Sequence, residues 1–431
     1  MAAVRSQMSL IQTSYSPNSD TGTPLLRGMS VPPAAIANPR FRSEWLGVED
    51  IGNDLLREWR NLAHAASEPN PFFEPHLLIP ALTHLHGASS VRLLAIRDRL
   101  MANRLIGLAP IRLTPTYCGI PVQTARTWKH VHTFLATPLL RSGHESDGLQ
   151  VLLTALHAKG VMLLRLHHMA ADGPVARALT NIAHASKLKS VTTRRFVRAL
   201  LHSSAKGDDY LTANVSKKKR KEYSRLSRRL ADQGEVTFQT PDTTDPAVVE
   251  GVVLEFLELE RSGWKGSAGT AIAERPVEAR FFLNACREAA RTGHLEPLTL
   301  RLDGKPIASI INFKGGSAQG SGLFSFKIAH DEAYSRFSPG VLLELELTSR
   351  ALATPGVVFT DSCADPNHPM INHIWGERRV MQDITIATSP YVPASVLTAT
   401  ASMETAIAAV KSHMKRIISK TRHHLLKRNT S

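Results

Sequence analysis

Lys327, Asp331 and Asp361, with the triplet Ser338-Pro339-Gly340 between them, gather a cation, two carboxylates and a run of backbone amides into one short stretch. A cation beside free amides can hold a phosphate or the charge that develops on a carbonyl oxygen. A carboxylate at a strand end can take the proton of an attacking amine or hydroxyl. Transfer of an acyl group to such a nucleophile needs these parts together: an activated carbonyl held in place, charge stabilisation and a route for the proton. Asp331 is one candidate acceptor of that proton, with His330 and Glu332 as substitutes, and Asp361 is another.

The elements that must position these residues can be read from periodicity. Residues 323–328 alternate, which predicts a strand with Phe324, Phe326 and Ile328 toward a core and Ser325 and Lys327 away from it. Ser338 is expected to cap a helix, Pro339 to sit at its first position and Gly340 to allow close approach. Val341, Leu342, Leu345, Thr348, Ala351 and Leu352 recur at helical spacing until Pro355-Gly356, and 357–359 reads as a second strand that ends near Asp361. Strand, loop, helix start and strand form an anion-binding arrangement, with the amides of Gly340 and Val341 as the expected donors.

The segment KIAHDEAYSRFSPGVLL, residues 327–343, resembles the GNAT acyltransferase superfamily in its CelD (cellulose biosynthesis) and FemAB-like branch. The shared pattern is Lys-x-Ala-x-Asp-x-x-Tyr, about four residues, then Ser-Pro-Gly. A looser likeness extends over 70–377 and takes in NPFFEPHLLIPAL, the basic run KKKRKEYSRLSRRL and the SGWKG of 262–266. The resemblance implies an α/β (α+β) fold of tandem GNAT-like domains, each a mixed, mostly antiparallel sheet flanked by helices. It also implies acyl-CoA (acetyl-CoA) as donor and a charge-stabilising role for Lys327; no metal is expected. The expected donor site is Ser338, Gly340 and Val341; Trp264, Lys265, Tyr334 and Trp375 are the expected substrate-binding residues.

Three functions fit this likeness: an acyl-CoA transferase acting on a polysaccharide or other envelope component, an aminoacyl-tRNA-dependent transferase, and a catalytically silent accessory protein of polysaccharide synthesis. The chain departs from the family in two places. Many coenzyme A-dependent members carry an Arg/Gln-x-x-Gly-x-Gly/Ala loop ahead of the helix, where this chain has Phe337-Ser338-Pro339-Gly340. After Asp361 a Gly-Asp-x-x-Tyr-Lys loop is usual, and Met370 and Ile371 stand where Tyr-Lys is expected.

Composition bounds the partners. A chain of 431 residues predicts two domains, and a net charge of +15 predicts attraction to polyanions: nucleic acid, an anionic membrane surface or a phosphate-rich ligand. Cys118, Cys286 and Cys363 form neither a disulfide framework nor a metal pair, which suits a reducing cytoplasm. The spacing of Asp361, Cys363, Asp365, His368 and His373 matches no standard zinc site. No apolar run reaches the ~20 residues of a membrane span, so a cytoplasmic protein is expected, peripheral at most to the inner face of the membrane.

In chain order, residues 1–40 read as a disordered leader, 41–190 as a first GNAT-like domain and 191–240 as a basic helical connector. Residues 241–400 read as the second, catalytic domain and 401–431 as a basic C-terminal helix able to meet an anionic membrane. Helices are expected at 59–66, 76–85, 149–159 and 252–262, and strands at 91–96, 105–111, 132–135, 161–166, 298–302 and 307–313. Phe72 and Phe73 are expected in a core. The helix opened by Lys217-Lys218-Lys219-Arg220-Lys221 is suited to phosphates, including those of tRNA. The glycine-rich loop 263–270 carries Trp264 as a lid or acceptor-pocket residue.

Overall fold

The computed structural model describes residues 38–407 except 118 and 317–319, together with 409, 410 and 414. Residues 1–37 of the expected leader and the basic residues of the C-terminal helix from Lys411 onward fall outside the described residues, whereas Arg40, at the leader's end, pairs with Asp98 at 2.6 Å; 394–407 is helical. The first strand among the described residues begins at Phe41, where folded structure is expected. The first half runs β1 (Phe41–Leu46), α1 (Asn53–His64), α2 (Pro75–His84), β2 (Val91–Asp98), β3 (Arg104–Thr114), β4 (Thr124–Thr127), the short β5 (Leu139–Leu140), α3 (Glu145–Ala158), β6 (Leu163–Ala170), α4 (Pro174–Ala185) and β7 (Ser190–Leu201). After α5 (Gly207–Asn214) and α6 (Lys217–Ala231) the second half runs β8 (Val236–Gln239), α7 (Pro246–Ser262), α8 (Trp264–Ser267), α9 (Pro276–Arg291), β9 (Leu295–Leu302), β10 (Lys305–Gly315), β11 (Ser321–His330), α10 (Pro339–Ala353), β12 (Val357–Asp361) and β13 (Glu377–Ala387).

All of these strands lie in one sheet, in the order β1-β2-β3-β4-β6-β13-β7-β12-β11-β10-β9-β8, with β5 beside β3. The order is the same from either end. The pairs β1/β8, β2/β9, β3/β10, β4/β11 and β6/β12 take matching places, antiparallel to the next strand except for the parallel steps β4–β6 and β11–β12. The two halves therefore repeat one layout of strands, as the order of elements predicts. Their last strands are exchanged: β13 of the second half lies antiparallel to β6 of the first, and β7 of the first lies antiparallel to β12 of the second. Residues 190–201 are thus a strand at the seam, which corrects the expected helical connector over 191–240. An expected strand at 132–135 is also absent; the chain leaves the ladder after Thr127 and enters a loop.

The two faces of the sheet are covered differently. On one face α1, α2, α7 and α9 share a single core containing Trp59, Phe72, Phe256, Phe282, Phe313 and Phe326. Phe72 and Phe73 are buried there, as expected. Phe72 stands edge-on to Phe134 of its own half and to Phe324 of the other, with centroids 5.7 and 5.8 Å apart, so aromatic packing joins the halves. The opposite face carries two cores, one under α3 and α4 and one under α5, α6 and α10. Helix α6 is held there by Leu226 and Leu230 and packs against α10, with Lys217, Lys218 and Lys221 exposed.

Candidate active site

Strand β11 pairs with β10 along its length, but a bulge interrupts the register: Ser325 faces Asn312 and Lys327 faces Ile311, leaving Phe326 without a partner. One extra residue inverts the alternation beyond it. Phe324 and Phe326 therefore enter the shared aromatic core, whereas Ile328 packs against the core under α10. This corrects the expected common face of Phe324, Phe326 and Ile328. On its other edge β11 pairs with β12 only from Ser321 to Phe324, so 325–330 run on without a partner strand and a wedge opens between the two.

Lys327 stands on this free stretch, half-buried, and within the described residues it makes no hydrogen bond or ion pair. Burial depresses its ammonium pKa, and the nearby charge of Lys265 adds to this, against Glu260 and Glu278. His132 arrives from the first half. Its ring stacks on Phe281 at 5.3 Å, its Nε2 lies 3.0 Å from Glu278 Oε2, and burial with the Lys327 charge pushes its pKa down to about 3. Nothing in the sequence marked His132 beyond the histidine-rich run at 130–132.

The start of α10 sits at the end of β11. Its first turn holds no acidic residue. Ser338 is at the N-cap position with a left-handed backbone (φ 52°), yet its side chain caps nothing. Its carbonyl instead accepts from the amides of Val341 at 2.9 Å and Leu342 at 3.2 Å. Pro339 has no N–H, so of the two expected donors only Gly340 remains open, and Val341 is corrected. A Cβ on Gly340 would lie 3.8 Å from Ile328 Cδ1 and 3.9 Å from His330 Nδ1, an ordinary contact.

The remaining expected residues divide between the rim of the cleft and the interior. Leu259, Glu260, Trp264, Lys265, Ile328 and His330 line a small cleft beside Lys327. Trp264 is 63 % exposed there. Lys265 is committed: its Nζ donates to Glu260 Oε1 at 2.7 Å, and Glu260 Oε2 accepts from the Ile272 amide at 2.8 Å, which ties the loop to α7. That loop is a short helix rather than the open glycine loop expected, and Gly266 is required because a Cβ would lie 1.7 Å from the Arg261 carbonyl. Asp331 caps the turn after β11 by accepting from the Ala333 amide at 3.0 Å and pairs with Lys305 at 2.9 Å. Burial pushes its carboxyl up, but those two partners outweigh it and hold Asp331 below the usual range. Tyr334 carries the Lys305 ammonium over its ring at 5.5 Å.

Asp361 and Trp375 are interior. Asp361 is enclosed at 0 % exposure, accepting from Arg198 Nη2 at 2.7 Å and Arg379 Nη1 at 2.8 Å. Burial alone would raise its pKa; Arg198 and then Arg379 reverse this. It closes the seam between β12, β7 and β13 and cannot reach a substrate proton. Trp375, 1 % exposed, donates from Nε1 to Thr348 Oγ1 at 2.9 Å and fills the core under α10. Both expected site roles are therefore corrected to structural ones.

Residues 217–361 match the family of acetyltransferase (GNAT) domains. FemX, 11% identical, superposes with a TM-score of 0.51 over 79% of this chain and 96% of its own. A conserved protein of unknown function from Bacteroides thetaiotaomicron, 10% identical, does so with a TM-score of 0.50 over 78% and 98%. A tandem GNAT protein from the clavulanic acid biosynthesis pathway is 16% identical, with a TM-score of 0.40 over 82% of this chain and 100% of its own. No curated protein matches this sequence. At such identities the likeness is one of fold, and the chain carries a GNAT acetyltransferase domain over residues 217–361.

Proposed function

We propose that the chain transfers an acyl group from acyl-CoA, such as acetyl-CoA, to an amine or hydroxyl of a polysaccharide or other envelope-related acceptor. The observation that carries this is the juxtaposition of Lys327, free of partners among the described residues, with the unpaired end of β11 and the acid-free start of α10. Bound there, the donor supplies an activated thioester carbonyl. The residues of this chain do the rest. Lys327 and the free backbone of β11 stabilise the charge on the carbonyl oxygen as the nucleophile attacks. The Gly340 amide and the α10 dipole hold a donor phosphate. With Asp331 paired and Asp361 enclosed, His330 and Glu332 are the remaining acceptors for the nucleophile's proton.

One observation favours a second donor. A single open amide holds a phosphate weakly, while the exposed lysines of α6 lie on a helix packed beside the same site. That suits a longer polyanion, the tRNA of an aminoacyl donor. A cytoplasmic location, with the basic helices able to meet an anionic inner membrane face, belongs to the same reading.

Thermal stabilisation by acetyl-CoA or by aminoacyl-tRNA separates the donors, and stabilisation by neither supports an accessory role. Lys327→Ala should lower turnover at least roughly tenfold, about 1.4 kcal/mol, with the melting curve unchanged. Equal activity would remove Lys327 from the mechanism.

A further inference from the structure

Away from that cleft, α1, α2 and the end of α9 enclose a cavity of about 630 Å³ with Glu74, His76 and His294 in its wall. We propose that these three residues form a binding site for a divalent transition-metal ion of the zinc class. Their donor atoms all lie within 4.8 Å of one another. Glu74 Oε2 is 3.9 Å from His76 Nδ1 and 3.9 Å from His294 Nε2, too far for hydrogen bonds that would saturate the group. Around a tetrahedral ion with bonds of about 2.0–2.1 Å, donors stand roughly 3.3 Å apart, so each of the two carboxylate–imidazole pairs would close by roughly 0.6 Å. Two imidazoles and a carboxylate, with a position open to a cavity, are a donor set that zinc accepts.

Two further observations point to a ligand. His76 is 5 % exposed, and its Nε2 is buried without a partner among the described residues. Its Nδ1, 3.9 Å from Glu74 Oε2, makes no hydrogen bond among the described residues either, and a buried imidazole bonded at neither nitrogen is costly; a metal bond at Nδ1 satisfies one of the two. The tautomer of His294 follows from its neighbours. The Thr292 hydroxyl donates to the Glu288 carbonyl at 2.9 Å, so its oxygen accepts from His294 Nδ1–H at 3.0 Å, and Nε2 is left with a lone pair on the Glu74 side. The rings of His76 and His294 stack at 4.7 Å, which keeps them in register. Glu74 is held from behind by the Gly316 amide, which donates to Oε1 at 3.2 Å.

Arg60 lines the same cavity and opposes a cation. The test therefore contains an anion arm. The full chain, stripped with a chelator and dialysed, is titrated with Zn²⁺ by calorimetry and with Co²⁺ by visible absorption. One equivalent should bind, with Co²⁺ bands of a low-coordinate site. Glu74→Gln keeps the volume and His294→Ala changes a half-buried ring; each should weaken binding at least tenfold while the metal-free melting curve stays put. Failure to bind one equivalent overturns the proposal, as does unchanged affinity in both variants. It is likewise overturned if inorganic phosphate raises the melting temperature and Zn²⁺ does not.

Discussion

Helices α3 and α10 hold matching places in the two halves, each between the strands of a parallel step, yet they begin in opposite ways. The first turn of α3 carries Glu145 and Asp147, whereas that of α10 carries no acid and leaves the Gly340 amide open. Beside α3 lies a cavity of about 480 Å³ whose wall includes Glu68, Glu145 and Asp172 along with Arg378 and Arg379; at the end of β11 the cleft is small and is lined by Glu260, Lys265, His330 and Glu332. Carboxylates in the first turn disfavour a phosphate there, so of the two helix starts the proposed reading puts a donor phosphate at α10 alone. The two halves share a frame, and the charges at the helix starts are what sets them apart.

The seam repeats the contrast with the charges reversed. Asp361 on β12 meets Arg198 two positions from its ladder partner on β7, and Arg165 on β6 meets Asp383 two positions from its partner on β13. The first pair is enclosed, at 0 % and 2 % exposure, while the Arg165 side chain is 17 % exposed. Asp361→Ala would leave a buried guanidinium with one partner fewer and should cost about 3–5 kcal/mol, the largest effect expected. Asp383→Ala should cost less. Urea unfolding of both variants checks this, and an equal or reversed order breaks the comparison.

A second difference lies inside the helices. The buried face of α3 is apolar apart from Gly148, whereas α10 buries Glu344, whose Oε2 has no partner among the described residues. Burial pushes the Glu344 carboxyl up to about 8. Since the unfolded value is about 4.3, the protonated folded state is fully favoured below that pH and the advantage is lost as pH rises through 8. Stability should therefore fall from pH 5 to pH 8. Glu344→Gln should flatten the fall, and Glu344→Leu should stabilise by about 1–3 kcal/mol at pH 8. Urea melts at the two pH values decide; a wild-type profile with no slope would sink the idea.

The smallest effect sharpens the contrast in charge around the helix starts. Replacing Lys217, Lys218, Lys219 and Lys221 by Gln should weaken binding of a polyanion such as tRNA and make its salt dependence shallower by roughly 0.7–0.9 for each phosphate no longer neutralised. A salt slope that does not move would make α6 a packed helix with a solvated face and no role in binding.

The elements with strong periodicity were legible. Strands β9, β10 and β11, helix α10 and the core positions of Phe72 and Phe73 could be read from spacing alone, because side chains two, three or four residues apart share a face. Strands β7 and β13 were not. SVTTRRFVRALL and ERRVMQDITIA are rich in arginine and polar residues, and a strand between two others pairs through its backbone whatever its side chains are. The bulge at Phe326 was equally hidden: alternation in sequence continues through it, and only the register with β10 reveals the extra residue.

For the candidate site the division is similar. The sequence by itself determined the strand, the acid-free helix start, the lysine that ends up between them and the order of elements that makes two matching halves. Only the tertiary structure decided that β7 and β13 cross between the halves, that Asp361 is sealed by Arg198 across 163 residues of chain, and that His132 and Glu278 come to Lys327. Local periodicity reports which side of its own element a residue occupies. It carries no information about which distant charge will be buried against that side, and burial with a partner is what separates a structural carboxylate such as Asp361 from one that can take a proton.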